Sequence, residues 1–372
     1  MLNRLQHLQD AGVSIWLDDL SRELLDSGEF MRLVRELAVT GATSNPTIFA
    51  KAITGSDLYD PQVRRALDLG LRDPREIFFE LALEDVRRSA DNLRGVYELS
   101  EHRDGFVSFE CTPDLADDAE ATVRQALDVW NRVGVPNLLI KVAATDAGIT
   151  AIQELTARGV GVNVTLLFSI HRYEQAIDAY WSGLERRLGT GKPVDEITSV
   201  ASFFVSRVDT IVDPWLAPDS PLRGRIAIAN AQIAYARYVR SLESMRWKGL
   251  AAHGARPQRP LWASTGTKDP EYSDVRYIQE LIAPGVISTI PMETLEAFAD
   301  HGDVGRSLNT DAGHSNRLLA DLAETGIDFA AITDELEQRG AQSFRDSYCE
   351  LLACIKAKAA EISVGAEEQV RV

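Results

Sequence analysis

The chain has 372 residues, 45% of them hydrophobic and 26% charged, and carries a formal net charge of -17. A chain of this length and polarity can bury a large core, and so acidic a balance argues against partners such as nucleic acid or an anionic membrane. Small anionic substrates are not excluded, because they need only a local basic pocket.

The first ten residues read as the start of an amphipathic helix and not as a signal peptide. Apolar, β-branched runs then recur with helical stretches between them. Strands are predicted at residues 13–17, 41–44, 106–109, 137–142, 161–166, 197–203, 260–263 and 286–289. Eight strands alternating with helices predict parallel β/α units, and hence an α/β fold of the (β/α)8 (TIM) barrel type with additional helices. A doubly wound open sheet is the alternative. It lacks its usual nucleotide-binding signal, since no G-x-G-x-x-G or phosphate-loop sequence follows the first strand.

Two intervals are longer than one crossover helix requires. The first, about 46–105, holds amphipathic segments at 61–69 and 74–93. The second, about 208–258, holds a helix at 226–245 and then a turn-rich stretch at 254–260. Both read as helical insertions. A C-terminal segment at about 333–362 has helical periodicity and could pack over the barrel. No repeat, low-complexity tract or Pro/Gly-rich linker marks a boundary, so residues 1–372 are expected to form one barrel domain. No run reaches membrane-spanning length without charges. Cys111, Cys349 and Cys354 show no pairing pattern, which fits a reducing cytoplasm. The six histidines show no ligand spacing, so no metal site is expected.

Lys141 interrupts the apolar run of the fourth strand. The chain has only seven lysines against thirty-two arginines. An ammonium buried without a partner is costly, and lysine, unlike arginine, can become a neutral amine able to attack a carbonyl. An ordinary lysine, with a pKa of ~10.4, is almost wholly charged at neutral pH. Desolvation among Leu139, Ile140 and Val142 is expected to favour the neutral form. In a β/α barrel the strand C-termini line the active site. Here those ends carry Asp18 and Asp19, then Thr43, Ser44 and Asn45, then Glu110, Lys141, Asn163, Thr165, Ser202, Arg207, Ser264 and Lys268. Together they offer an amine, carboxylates, neutral hydrogen bonders and cations, which suits carbonyl chemistry on a polyhydroxylated, phosphorylated substrate. Individually they have plainer readings: one of Asp18 and Asp19 could cap a helix beginning at Leu20, and Asn45-Pro46 is a turn signal.

Two longer segments carry a resemblance. Gly41-Ala-Thr-Ser-Asn-Pro-Thr-Ile-Phe49 resembles the first signature of the transaldolase family. The segment from Leu138 to Leu155, Leu-Leu-Ile-Lys-Val-Ala-Ala-Thr-Asp-Ala-Gly-Ile-Thr-Ala-Ile-Gln-Glu-Leu, resembles the second. Residues 163–169 and 202–207 are similar to further family segments in the same order, and the insertions fit the larger bacterial type. The resemblance implies transfer of a dihydroxyacetone unit from sedoheptulose 7-phosphate or fructose 6-phosphate to glyceraldehyde 3-phosphate or erythrose 4-phosphate. This is a step of the non-oxidative pentose phosphate pathway, run without metal or organic cofactor by a cytoplasmic monomer or homodimer. It implies Lys141 as the Schiff-base lysine and Asp18 as the acid/base at the C4 hydroxyl. Glu110 and Thr165 would hold the water of imine formation and hydrolysis. Asn45 and Asn163 would hydrogen-bond substrate or intermediate, Ser202 the substrate hydroxyls, and Phe204 would shape the site. Arg207 and Ser264 would bind phosphate. One position departs: where the family often has an arginine, this chain has Gly266, and Lys268 is the nearest cation. Lysine meets phosphate as a point charge without a bidentate fork. The rival readings are an aldolase that releases free dihydroxyacetone and a non-catalytic sugar-phosphate-binding barrel.

Overall fold

A computed structural model describes residues 4–370 apart from 306 and 309, and side chains as far as residue 363. Of the expected N-terminal helix, residues 1–3 therefore lie outside the described residues, and Arg4–Asp10 is helical. Eight strands follow in chain order: β1 (Ser14–Leu17), β2 (Val39–Thr43), β3 (Val107–Glu110), β4 (Leu138–Ala143), β5 (Val162–Leu167), β6 (Ser199–Phe204), β7 (Arg259–Ala263) and β8 (Ile287–Ile290). Each pairs in parallel with its neighbours in sequence, and β8 closes onto β1. The closed barrel excludes the open doubly wound sheet.

Every residue of β2, β3, β5 and β6 is buried, and β4 is buried up to its last residue. This accounts for the near-continuous apolar runs: parallel strands with helices outside and side chains inside have no solvent face. The register sets the functional geometry. Glu110 on β3 lies beside Lys141 on β4, and Lys141 beside Asn163 on β5. Ala143 pairs with Thr165 one step further up. Three polar groups on adjacent strands thus form one tier inside an otherwise apolar wall.

The crossover from β4 to β5 fixes the height of that tier. Thr145 caps the helix Asp146–Arg158 by accepting from the Gly148 backbone at 2.9 Å. A Cβ on Gly148 would stand 1.8 Å from the Ala143 carbonyl oxygen, so only glycine lets the helix start against the end of β4.

The long interval between β2 and β3 forms the helices Pro46–Thr54, Asp60–Asp68, Pro74–Asn92 and Arg94–Leu99. A buried cluster ties it to the helix Arg22–Asp26 that follows β1. Arg22 reaches Asp85 at 2.9 and 3.0 Å, and the Tyr59 hydroxyl donates to the other Asp85 oxygen at 2.9 Å. The interval between β6 and β7 differs from expectation. The helix read as 226–245 ends at Leu242, and Ser244 caps a second helix, Met245–Ala251, by accepting from Trp247 N. Neither Asp18 nor Asp19 caps a helix at Leu20. Ser21 does, for the helix Arg22–Asp26, with its hydroxyl accepting from Leu24 N. The C-terminal helix is longer than its periodicity suggested, Phe329–Val370, and its buried side chains include Leu336, Phe344, Tyr348, Leu351, Ile355 and Ile362. Spacings of three and four keep such a stripe on one face.

Asp209 pins the short helix Ser206–Val212 that follows β6. One carboxylate oxygen accepts from Ala227 N at 2.8 Å and the other from the Tyr277 hydroxyl at 2.9 Å. Burial pushes its pKa from 3.8 up to about 6, against these hydrogen bonds. The folded state therefore holds the proton more tightly than the unfolded chain. The associated stability is complete below pH 3.8 and is lost as pH rises through about 6. The shift corresponds to about 3 kcal/mol. In urea denaturation series between pH 4 and 7, Asp209→Asn is expected to remove a loss of that order that the parent protein shows as pH rises.

Candidate active site

The polar tier gathers at the C-terminal mouth of the barrel. Lys141 is 5% exposed and Glu110 7% exposed, and the Lys141 Nζ lies 3.2 Å from Glu110 Oε2. The two form an ion pair off the hydrogen-bonding direction, and Glu110 Oε2 has no hydrogen-bond partner among the described residues. Burial raises the Glu110 pKa above the ordinary carboxylate value, the Lys141 charge opposes this, and Asp18 adds to it. The surroundings of Lys141 are therefore not the purely apolar ones that the strand sequence implied: a carboxylate faces the amine.

Asn163 bridges the barrel interior. Its Nδ2 donates to Ser108 Oγ at 2.9 Å, and its Oδ1 accepts from Ser202 Oγ at 2.7 Å. All three are buried. Thr165, above Asn163 on the same strand, is fully buried with no hydrogen-bond partner on its hydroxyl among the described residues. Thr165 Oγ1 and Glu110 Oε2 are thus two buried oxygens without a hydrogen-bond partner there, an arrangement suited to an additional small polar molecule.

The two aspartates after β1 separate clearly. Asp18 accepts from Thr43 Oγ1 at 2.8 Å. Its charge acts on both Glu110 and Arg207. Burial raises the pKa of Asp19, the Leu20 backbone opposes this, and the neighbouring charges of Asp18 and Glu23 add to it. Asn45 uses its side-chain oxygen to cap the helix Pro46–Thr54, accepting from Ile48 N at 3.0 Å, which leaves its amide nitrogen as the donor. With Ser44 and Glu110 it borders a small cavity.

Cations stand on the opposite side of the mouth. The Arg207 guanidinium packs 5.1 Å over the Phe204 ring, which itself lies 5.1 Å from Phe168. It makes no direct hydrogen bond or ion pair among the described residues, and burial lowers its pKa. A partly desolvated arginine with an open fork suits an oxyanion. Ser264 follows β7 directly, at φ 57, with its hydroxyl 3.0 Å from that of Ser206. This left-handed backbone is uncommon for serine and turns the chain across the mouth. Lys268 is exposed, yet its Nζ lies 3.9 Å from where a Cβ on Gly266 would be. The lysine folds back over the position left empty by that glycine. It also borders a neighbouring cavity of about 300 Å³ together with Arg223, Asp209 and Asp213.

The residues singled out from the sequence fall on one mouth of the barrel, with Lys268 at its rim. Ser108, Ser206 and Phe344 were not singled out. Ser108 carried a signal, because it stands two residues before Glu110 and so faces the same way along β3. Among the described residues no group of three or more His, Cys, Asp or Glu side chains is placed to hold a metal ion. No helix among them is long and apolar enough to cross a membrane.

The family model for transaldolase/fructose-6-phosphate aldolase matches residues 15–355. A protein of Frankia alni named transaldolase is 48% identical over 363 residues, covering 95% of this chain and 97% of the relative. A transaldolase of Saccharopolyspora erythraea is likewise 48% identical, covering 95% and 97%. A protein of Nostoc sp. named transaldolase 2 is 40% identical, covering 96% and 98%.

The buried bridge makes Ser108 testable. Ser108→Ala leaves the Asn163 amide without its acceptor, and is expected to cost about 1–3 kcal/mol in denaturant unfolding. The exposed Ser363→Ala, which removes a bond within its own helix, is expected to cost less.

Proposed function

The chain belongs to the transaldolase/fructose-6-phosphate aldolase family, and on that footing we propose that it transfers a dihydroxyacetone unit from a ketose phosphate to an aldose phosphate through an imine on Lys141. Fructose 6-phosphate or sedoheptulose 7-phosphate would be the donor, and erythrose 4-phosphate or glyceraldehyde 3-phosphate the acceptor. The observation that carries this reading is the buried 3.2 Å pairing of the Lys141 amine with Glu110, within the electrostatic reach of Asp18 and of an arginine that makes no hydrogen bond or ion pair among the described residues.

The neutral Lys141 amine adds to the donor C2 carbonyl, and the carbinolamine loses water to give a protonated imine. Glu110, whose proton affinity burial raises, and Thr165, whose hydroxyl has no protein partner, are suited to hold that water and move its proton. Asp18 takes the proton from the C4 hydroxyl, and the C3–C4 electron pair passes into the imine as the bond breaks. The aldose phosphate leaves, and an enamine stays on Lys141. Addition of the acceptor aldehyde runs the same steps backwards, returning the Asp18 proton to the new C4 oxygen, and one water releases the product. Asn163, oriented by Ser108 and Ser202, and the Asn45 amide would hold hydroxyls of the bound unit. Ser202 would add a contact to substrate hydroxyls, and Phe204 would form the wall beneath Arg207. Arg207 and Ser264 would bind the phosphate. Lys268, folded back over Gly266, would supply the second cation. The three free cysteines suit a reducing cytoplasm.

Fructose 6-phosphate with erythrose 4-phosphate is expected to give sedoheptulose 7-phosphate, with little free dihydroxyacetone when the acceptor is omitted. Abundant free dihydroxyacetone in both conditions would identify a simple aldolase instead. Asp18→Ala is expected to lower turnover by about 10²-fold or more. Asp19→Ala should lower it far less, and the reverse order would reassign the acid/base.

A further inference from the structure

We propose that Phe344, on the C-terminal helix, is a specificity-determining residue that keeps water from the enamine and so favours transfer over release of free dihydroxyacetone. The inference rests on the function proposed above and extends it to a residue outside both sequence signatures.

Something must cover an amine that is only 5% exposed at the open end of a barrel. The Phe344 ring does so, with its centroid 6.0 Å from Lys141 Nζ. Ala341 and Phe344, with Glu110, Cys111, Val142 and Leu166, border a cavity of about 20 Å³ beside the ion pair. That is room for about one water. One water is what imine hydrolysis consumes, and a wider opening would admit bulk solvent.

The helix is built to lie this close. A Cβ on Gly340 would stand 3.0 Å from Leu166 Cδ2 and 3.7 Å from an Arg207 nitrogen, so the glycine lets the backbone settle onto the strand end. Leu166 adopts φ 61, and the β5–β6 register breaks between Val164 and Leu167. A branched residue in that backbone region is uncommon and requires support from its surroundings. Polar contacts flank the crossing. Glu337 pairs with Arg172 at 3.3 Å, Ser347 accepts from Thr47 at 2.7 Å, and Lys358 donates to the Ser56 carbonyl at 3.0 Å. Phe344 lies between the first two of these ties.

The enamine has two fates. Its nucleophilic carbon can bond to an acceptor aldehyde, or it can take a proton from solvent. In the second case the resulting imine is hydrolysed by one water, giving free dihydroxyacetone and the Lys141 amine. An aromatic ring over the amine disfavours the second route by excluding water.

The test uses the full chain with fructose 6-phosphate as donor. It measures free dihydroxyacetone against sedoheptulose 7-phosphate formed at saturating erythrose 4-phosphate. Phe344→Ala is expected to raise that ratio roughly tenfold or more, as removing a hydrophobic contact does in discrimination between routes. Phe344→Leu, which refills much of the space and guards against a folding failure of the smaller variant, is expected to fall between Phe344→Ala and the parent. A ratio in Phe344→Leu equal to that of the parent, together with an unchanged ratio in folded Phe344→Ala, overturns the proposal while leaving the transfer reading intact. Failure of the parent protein itself to form sedoheptulose 7-phosphate overturns the transfer reading, and the role of Phe344 with it.

Discussion

A buried ammonium is the constraint around which this barrel is organised. Lys141 and Glu110 are each too costly to bury alone, by several kcal/mol per ion, and each is the other's nearest opposite charge. The pair is incompletely satisfied, because among the described residues Glu110 Oε2 has no well-directed donor, and the buried Thr165 hydroxyl on the next strand likewise has no hydrogen-bond partner. A site built only for stability would fill those gaps. Burial strengthens the hold of Glu110 on a proton, while Lys141 weakens it.

The rest of the mouth separates neutral and charged groups by position. Neutral hydrogen bonders cross the interior, where Asn163 is fixed at both ends by Ser108 and Ser202. Charge is kept to the rim. Arg207 lies over Phe204, Asp18 is oriented by Thr43, and Lys268 folds back over Gly266. Two strand ends adopt left-handed backbone at ordinary residues, Leu166 and Ser264. Both lie where the chain must turn a functional segment across the opening, and both are supported by neighbours, Gly340 for the first and Ser206 for the second.

All eight strands were legible from apolar, β-branched runs, since strands buried on both faces must be apolar. The exception inside one of those runs, Lys141, was legible for the same reason. Boundaries were less so. The break between Leu242 and Met245 depends on Ser244 capping a second helix, a local hydrogen bond that periodicity does not register. Ser21, and not either aspartate, caps the helix after β1, because Asp18 is turned to Thr43. Which aspartate turns toward β2 could not be read from adjacent identical residues; it depends on the hydrogen bond from Thr43. Phe344 was invisible as a site residue. It is one apolar position among many on an amphipathic helix, and only the close approach at Gly340 brings its ring over an amine two hundred positions earlier in the chain.

In the proposed reaction Lys141 is the amine that carries the substrate. Incubation with fructose 6-phosphate, reduction with borohydride and mass analysis of a proteolytic digest tests it directly. A reduced sugar-derived adduct is expected on the peptide containing Lys141, and none in the Lys141→Ala protein. The same adduct in Lys141→Ala, or on any other of the seven lysines in the parent chain, would contradict it.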